Sequence, residues 1–137
     1  MELVVNPKIN KNELIELYKS VGWTADVNNI DNLRKGMKKS YVIAAYEDKK
    51  LIGLVRALSD YATVVYVQDL LVASDYQGKR VGKSLMHHLL NYFGSVGQII
   101  VTAKNDERTG KFFRYLNFRE ESKNTYEIDR RDKKMQS

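Results

Sequence analysis

The sequence predicts a mixed α/β domain with a mostly antiparallel central sheet of about six to seven strands flanked by about four helices. Three observations carry this reading. Runs rich in β-branched and aromatic residues, 41–46, 51–57 and 64–72, follow one another through short polar connections, as antiparallel strands do. Helical apolar periods lie on either side: Leu14, Leu17, Tyr18 and Val21 before, Val81, Leu85, Leu89 and Phe93 after. The second of these helices leads into another β-type run, 98–103, and a strand–helix–strand crossover makes the joined strands parallel.

Taken in order, residues 1–5 read as a first strand ended by Pro7, the only proline. Asn10 or Asn12 caps a first helix, Gly22 stops it, and Trp23 lies just beyond. Asn28 or Asn29 caps a second helix that turns Ile30, Leu33 and Met37 inward. Residues 47–50 join the runs 41–46 and 51–57 as a hairpin, and 59–62 lead into the strand 64–72. A polar connection, 73–76, precedes a helix over 79–93, whose period is flanked by Met86 and Leu90. After the strand 98–103 a helix is expected over 107–116, then a closing antiparallel pair, 118–120 with 125–128. The end of the chain is charged and aperiodic. The expected organisation is one domain, 1–129, with a polar tail, 130–137, and neither repeat nor linker.

A chain of 137 residues with 43% apolar content suits one domain with a sizeable core. No apolar run approaches a membrane span, and the N-terminus lacks the pattern of a secretory signal, so no membrane partner and a cytoplasmic location are expected. There is no cysteine, which removes disulfides, thiolate metal sites and a cysteinyl acyl-enzyme. His87 and His88 are adjacent on a helix and point in different directions, so no metal site is expected. The net charge of +6 suits an anionic ligand. It would also suit nucleic acid, but the cations are scattered and lack aromatic interleaving, so no nucleic-acid partner is expected.

The chemical centre is Gln77-Gly78-Lys79-Arg80-Val81-Gly82-Lys83, between the strand 64–72 and a helix. A strand, a glycine turn and a helix N-terminus form an anion site, because free N–H groups and the helix dipole point outward there. Lys79, Arg80 and Lys83 add full positive charge, so a phosphate-bearing ligand is expected. A P-loop is ruled out, since it needs glycine five residues before Gly82, where Gln77 stands. A Rossmann G-x-G-x-x-G is also absent.

The stretch resembles the acetyl-coenzyme A signature of the GNAT superfamily of N-acetyltransferases, [Gln/Arg]-x-x-Gly-x-[Gly/Ala]. Gln77 and Gly82 match its ends, and Arg80 replaces its middle glycine. The flanks extend the resemblance. Leu70-Leu71-Val72-Ala73-Ser74-Asp75-Tyr76-Gln77 is similar to the family's approach to the signature, with Ser74 for a proline. Asn105 stands where the family has an asparagine after a strand, and Phe112-Phe113-Arg114-Tyr115-Leu116-Asn117-Phe118 is similar to the family's Phe-Tyr-x-x-x-Gly-Phe. Asn117 suits a left-handed helix end nearly as well as glycine.

The resemblance implies transfer of an acetyl group from acetyl-CoA to a primary amine, small or on a protein, by direct transfer without metal. It implies that Leu70, Leu71 and Val72 pair with pantetheine and that residues 77–83 hold the pyrophosphate through main-chain N–H groups. It also implies that Asn105 meets the pantetheine arm and that Phe112 and Phe113 lie against coenzyme A. By the same resemblance Trp23 and Thr24 are acceptor contacts; read without it, Trp23 is more readily a core anchor packing the two helices. Homodimers are frequent among such proteins, so a homodimer is an expectation. Arg80 is expected in helical φ/ψ as an added phosphate clamp.

Asp69 is the only carboxylate between Thr63 and Val72, beside the expected thioester contacts, with Val67 and Leu71 as alternation partners. It is either the base that takes the amine proton or the partner of a cation such as Arg56 on the neighbouring strand. A bulge in its strand would change its face. Phe113 stands where the family often has a tyrosine that protonates the departing thiolate. That departure keeps open a non-catalytic acyl-coenzyme A-binding role.

Overall fold

The computed structural model describes residues 1–131, which form two compact units, residues 1–101 and the segment from Thr102 onward. From residue 132 the expected polar tail lies outside the described residues.

The first unit holds one five-stranded sheet in the order β1-β2-β3-β4-β5. Strand β1 (Glu2–Val5), β2 (Tyr41–Glu47), β3 (Lys50–Ser59) and β4 (Val64–Val72) run antiparallel in turn, and β5 (Gln98–Val101) is parallel to β4. The mixed, mostly antiparallel architecture and the parallel crossover match the expectation. The β2–β3 turn needs only Asp48 and Lys49, both at positive φ (49° and 67°), which fits the twist of a tight hairpin.

Helix α1 (Lys11–Ser20) is capped by Asn10, whose side chain accepts the N–H of Asn12 at 2.8 Å. Its end is a Schellman turn. Gly22 takes φ +78°, its N–H bonds to the Lys19 carbonyl, and the N–H of Trp23 bonds to that of Tyr18. A short helix, α2 (Thr24–Val27), follows where only a connection was expected, and then α3 (Ile30–Lys38). Leu14, Leu17, Tyr18 and Leu33 from these helices bury against Val42, Ala44, Leu51, Leu54 and Leu71 on one face of the sheet. On the other face α4 (Val81–Tyr92) and the residue after it bury Leu85, Met86, Leu89 and Phe93, with Tyr41 edge-on to Phe93 at 5.2 Å.

Residues 102–131 contain α5 (Glu107–Tyr115), with Asp106 accepting the N–H of Thr109. Asn117 adopts φ +67° in a second Schellman turn, its N–H on the Arg114 carbonyl and that of Phe118 on the Phe113 carbonyl. Asparagine for glycine is therefore tolerated there as expected.

Three expectations are corrected. The sheet has five strands, because 118–120 and 125–128 form no strand among the described residues; Tyr126 and Ile128 are exposed. β-propensity without a partner ladder does not make a strand. Among the described residues the α-helices number five with the extra α2. Arg80 is not helical: it adopts φ 67°, ψ 12°, in the left-handed region. The turn from Gly78 (φ +78°) into α4 needs positive φ twice, so the family's glycine at this position answers a backbone demand that Arg80 meets under strain.

Candidate active site

Strand β4 is paired on both sides only in its first half. Its parallel register with β5 runs from Val64 opposite Gln98 to Val67 opposite Val101, and stops. Beyond that β4 continues to Val72 with β3 alone, Leu70 opposite Val55, Leu71 opposite Leu54 and Val72 opposite Gly53. Among the described residues no sixth strand pairs with the edge left open over Leu70, Leu71 and Val72.

That open edge leads into the glycine turn. A 3-10 turn, Ser74–Tyr76, is tied down by the Ala73 N–H to the Ile52 carbonyl (2.7 Å) and by the Ser74 hydroxyl to the Ser20 carbonyl (2.7 Å). The Gln77 amide donates to the Val72 carbonyl at 3.0 Å, fastening the signature glutamine to the strand end. Gly78, Lys79 and Arg80 are exposed, and Lys79 lies over the Tyr76 ring at 5.5 Å. Val81 is buried and starts α4, with Gly82 and Lys83 in its first turn. Arg80 supplies no side-chain acceptor as a cap, so the N-terminal dipole of a full-length helix meets the end of the open strand.

Gly53 makes this placement possible. A Cβ on Gly53 would lie 3.0 Å from the Leu71 carbonyl oxygen and 3.2 Å from Val81 Cγ1. The missing side chain lets α4 settle on β3 beside β4. An isolated glycine inside a β-type run is the signal that would have flagged it.

Asp69 is buried, 5% exposed, and opposes Arg56 across the β3–β4 ladder. Arg56 Nε donates to Asp69 Oδ2 at 2.8 Å, and the Tyr18 hydroxyl donates to the same oxygen at 2.9 Å. The ion pair therefore exists. Oδ1 bonds to no protein group, yet no buried side-chain oxygen among the described residues lacks a partner, so Oδ1 reaches solvent. Burial first, then the neighbouring carboxylate, pushes the Tyr18 phenol far above its ordinary range, so it stays a donor.

The face of Asp69 is set by a bulge. The register shifts between Arg56, opposite Asp69, and Ala57, opposite Val67. Gln68 is the extra residue. Arg56 shares its face with Val42 of the α1 core, whereas Ala57 shares its face with Tyr41 against α4. Leu71 stays with Asp69, but Val67 lies on the opposite side, which corrects the expected alternation.

Trp23 packs edge-on against Tyr18 at 5.7 Å, one ring from Asp69, and Thr24 is exposed. Tyr18 was legible only as part of an apolar stripe; its hydroxyl was the signal, because a buried phenol needs a partner. In the second unit Asn105 is exposed ahead of α5, and Phe113 packs edge-on between Phe112 (5.1 Å) and Phe118 (5.4 Å).

Comparison with known proteins gives this geometry its relatives. The acetyltransferase (GNAT) family profile matches residues 11–118. A histone acetyltransferase of Glycine max, TAP1, is 32% identical over 120 residues, 77% of this chain and 50% of that protein. An uncharacterized N-acetyltransferase, ycf52, of Gracilaria tenuistipitata var. liui is 29% identical over 121 residues, 85% of this chain and 65% of its own. A GNAT-family acetyltransferase from Streptococcus pneumoniae superposes with a TM-score of 0.82 at 25% identity, covering 94% of this chain and 98% of that one. The chain spans about half the length of the first curated relatives it matches. Among the described residues no helix is long and apolar enough to cross a membrane. The chain belongs to the GNAT family of acetyltransferases.

Proposed function

We propose that this chain binds acetyl-CoA along the open edge of β4 and the N-terminus of α4, and transfers the acetyl group to a primary amine. One observation carries the reading: the unpaired stretch of β4 ends at the glycine turn that opens an uncapped helix among exposed cations. A ligand with an amide-bearing arm and a pyrophosphate fits both parts. The arm pairs with the strand edge over Leu70, Leu71 and Val72 as an added strand would. The pyrophosphate meets main-chain N–H groups from Gly78 to Lys83, with Lys79, Arg80 and Lys83 supplying charge. The sequence resemblance of Asn105, Phe112 and Phe113 supports giving them a part in holding the same ligand. A resident metal has no part in this mechanism.

Acetyl-CoA supplies an acetyl group activated as a thioester. A primary amine is mostly protonated at neutral pH and has to lose a proton before it attacks. Asp69, through Oδ1 while Oδ2 is held by Arg56 and Tyr18, binds the ammonium and takes its proton directly or through water. Backbone N–H groups near Leu71 donate to the carbonyl oxygen as charge develops there. The amine nitrogen bonds to the carbonyl carbon, loses its second proton to solvent and becomes the amide as the C–S bond breaks. Solvent supplies the proton that the sulfur takes up, because the Phe113 ring has no donor. Trp23 and Thr24 flank the acceptor. The acceptor is a small amine or a protein amine, the latter being the class named for the Glycine max relative.

The test is release of free thiol with a broad panel of amines and peptides. Asp69→Asn should lower turnover by about a hundredfold or more while coenzyme A affinity stays nearly unchanged. The ion pair favours a second reading, binding without catalysis. Coenzyme A binding with no thiol release from any acceptor selects that second reading. Wild-type turnover in Asp69→Asn, with a loss of thermal stability, makes the carboxylate structural.

A further inference from the structure

Helix α3 carries Arg34, Lys35 and Lys38, with Lys39 at its C-cap, and all four side chains are exposed. Their spacing, i, i+1, i+4 and i+5, gathers them along one side of the helix. None pairs with a carboxylate among the described residues. The one acid of this helix, Asp31, is taken by Lys11 at 3.3 Å. A helix C-terminus favours cations in its last turn, which accounts for Lys35 and Lys38. It does not account for four neighbouring like charges left without a counter-charge, since these repel one another.

The position of this face relative to Asp69 gives it meaning. Gly36 lets α3 lie directly on Arg56: a Cβ there would sit 3.4 Å from Arg56 Nη1. The same Nη1 donates to the Ser40 hydroxyl, just past the helix, at 3.3 Å. Arg56 in turn holds Asp69. The four cations therefore sit on the helix that packs against Arg56, the guanidinium partner of Asp69.

We propose that this face docks acidic sequence around the acceptor amine, so that the acceptor is a protein or peptide amine in an acidic context. The proposal rests on the acetyl-transfer reading and narrows its acceptor. Four cations on this helix attract such a chain and repel a lysine-rich tail, and fields of this kind change association rates by about ten- to a thousandfold. A nucleic acid offers the same negative charge but no aliphatic amine for the carboxylate to bind.

The experiment uses the full chain saturated with coenzyme A, so that Lys79, Arg80 and Lys83 are occupied. Two fluorescein-labelled peptides serve as probes: one lysine between runs of glutamates, and its counterpart with the glutamates replaced by lysines. At about 50 mM salt the acidic peptide should bind, and binding should fade at several hundred millimolar. The Arg34→Gln, Lys35→Gln, Lys38→Gln, Lys39→Gln variant should bind it about tenfold more weakly or worse. That variant should keep the wild-type melting temperature and coenzyme A affinity. With acetyl-CoA, kcat/KM should favour the acidic peptide at least about tenfold. Equal binding by wild type and variant, no binding at low salt, or preferred acetylation of the lysine-rich peptide overturns the proposal. Tighter binding of single-stranded DNA of equal charge also overturns it, by making the face a nucleic-acid surface. Salt- and variant-sensitive peptide binding without any thiol release upholds the docking face and removes the acetyl-transfer reading beneath it.

Discussion

Arg80 holds a left-handed backbone that glycine adopts without strain, and it does so at the point where α4 begins. The cost of that conformation for a residue with a Cβ is about 1–2 kcal/mol, partly offset because glycine loses more freedom on folding. Arg80→Gly should therefore raise stability by about 0.5–1 kcal/mol in urea denaturation. If the guanidinium grips phosphate, the same variant should lose severalfold in coenzyme A affinity. Unchanged affinity would show that the arginine is only tolerated. Tyr18 gives a second expectation. Tyr18→Phe removes a hydrogen bond to a buried carboxylate, a change of about 1.5–3 kcal/mol. Because the folded-state phenol titrates far above its ordinary range, its contribution is complete below about pH 10 and declines as pH rises beyond that. Wild-type stability measured against pH should bend downward above about 10, and the bend should shrink in Tyr18→Phe. Parallel curves for the two proteins would place the alkaline loss elsewhere.

Among the elements, α4 and β4 depend on one absent side chain. Gly53→Ala would place a Cβ 3.0 Å from the Leu71 carbonyl, a backbone atom that cannot swing aside, and 3.2 Å from Val81. Overpacking of this kind costs about 1–3 kcal/mol. It should also weaken coenzyme A binding, because both structures it pushes apart belong to the proposed ligand cradle. A stability loss with unchanged affinity would place the ligand away from this junction. In residues 102–131, Phe113 fills an aromatic cluster with Phe112 and Phe118. Phe113→Tyr should leave coenzyme A affinity nearly unchanged. In a coenzyme A complex its hydroxyl should lie within about 3.5 Å of the sulfur if Phe113 meets the ligand as proposed. A hydroxyl enclosed by Phe112 and Phe118 and turned from the ligand would make Phe113 a packing residue.

For the chain as a whole, the test of the proposed cradle is ligand-linked stability. Coenzyme A at a hundred times its dissociation constant should add about 2.7 kcal/mol, several degrees in Tm for a chain of this size. Gly82→Val should remove most of that gain by blocking the close approach of phosphate to the first turn of α4. A shift that survives the substitution would move the ligand to another surface.

The order of elements, the parallel crossover and the glycine turn before α4 were legible in the sequence because each is a local matter. Apolar period, caps and turn residues act over a few positions, and the stretch from Gln77 to Gly82 also carried the family. The left-handed cap at Asn117 was legible for the same reason. What the sequence left open on Asp69 was non-local. Its partners, Arg56 and Tyr18, lie 13 and 51 residues away, and its face turned on a bulge at Gln68 that alternation cannot show. The missing strands followed the same logic: 125–128 alternates as a strand does, but a strand exists only where a ladder receives it. Tertiary pairing also decided that β5 leaves β4 at Val67, since the edge a ligand can use is defined by where a neighbour stops.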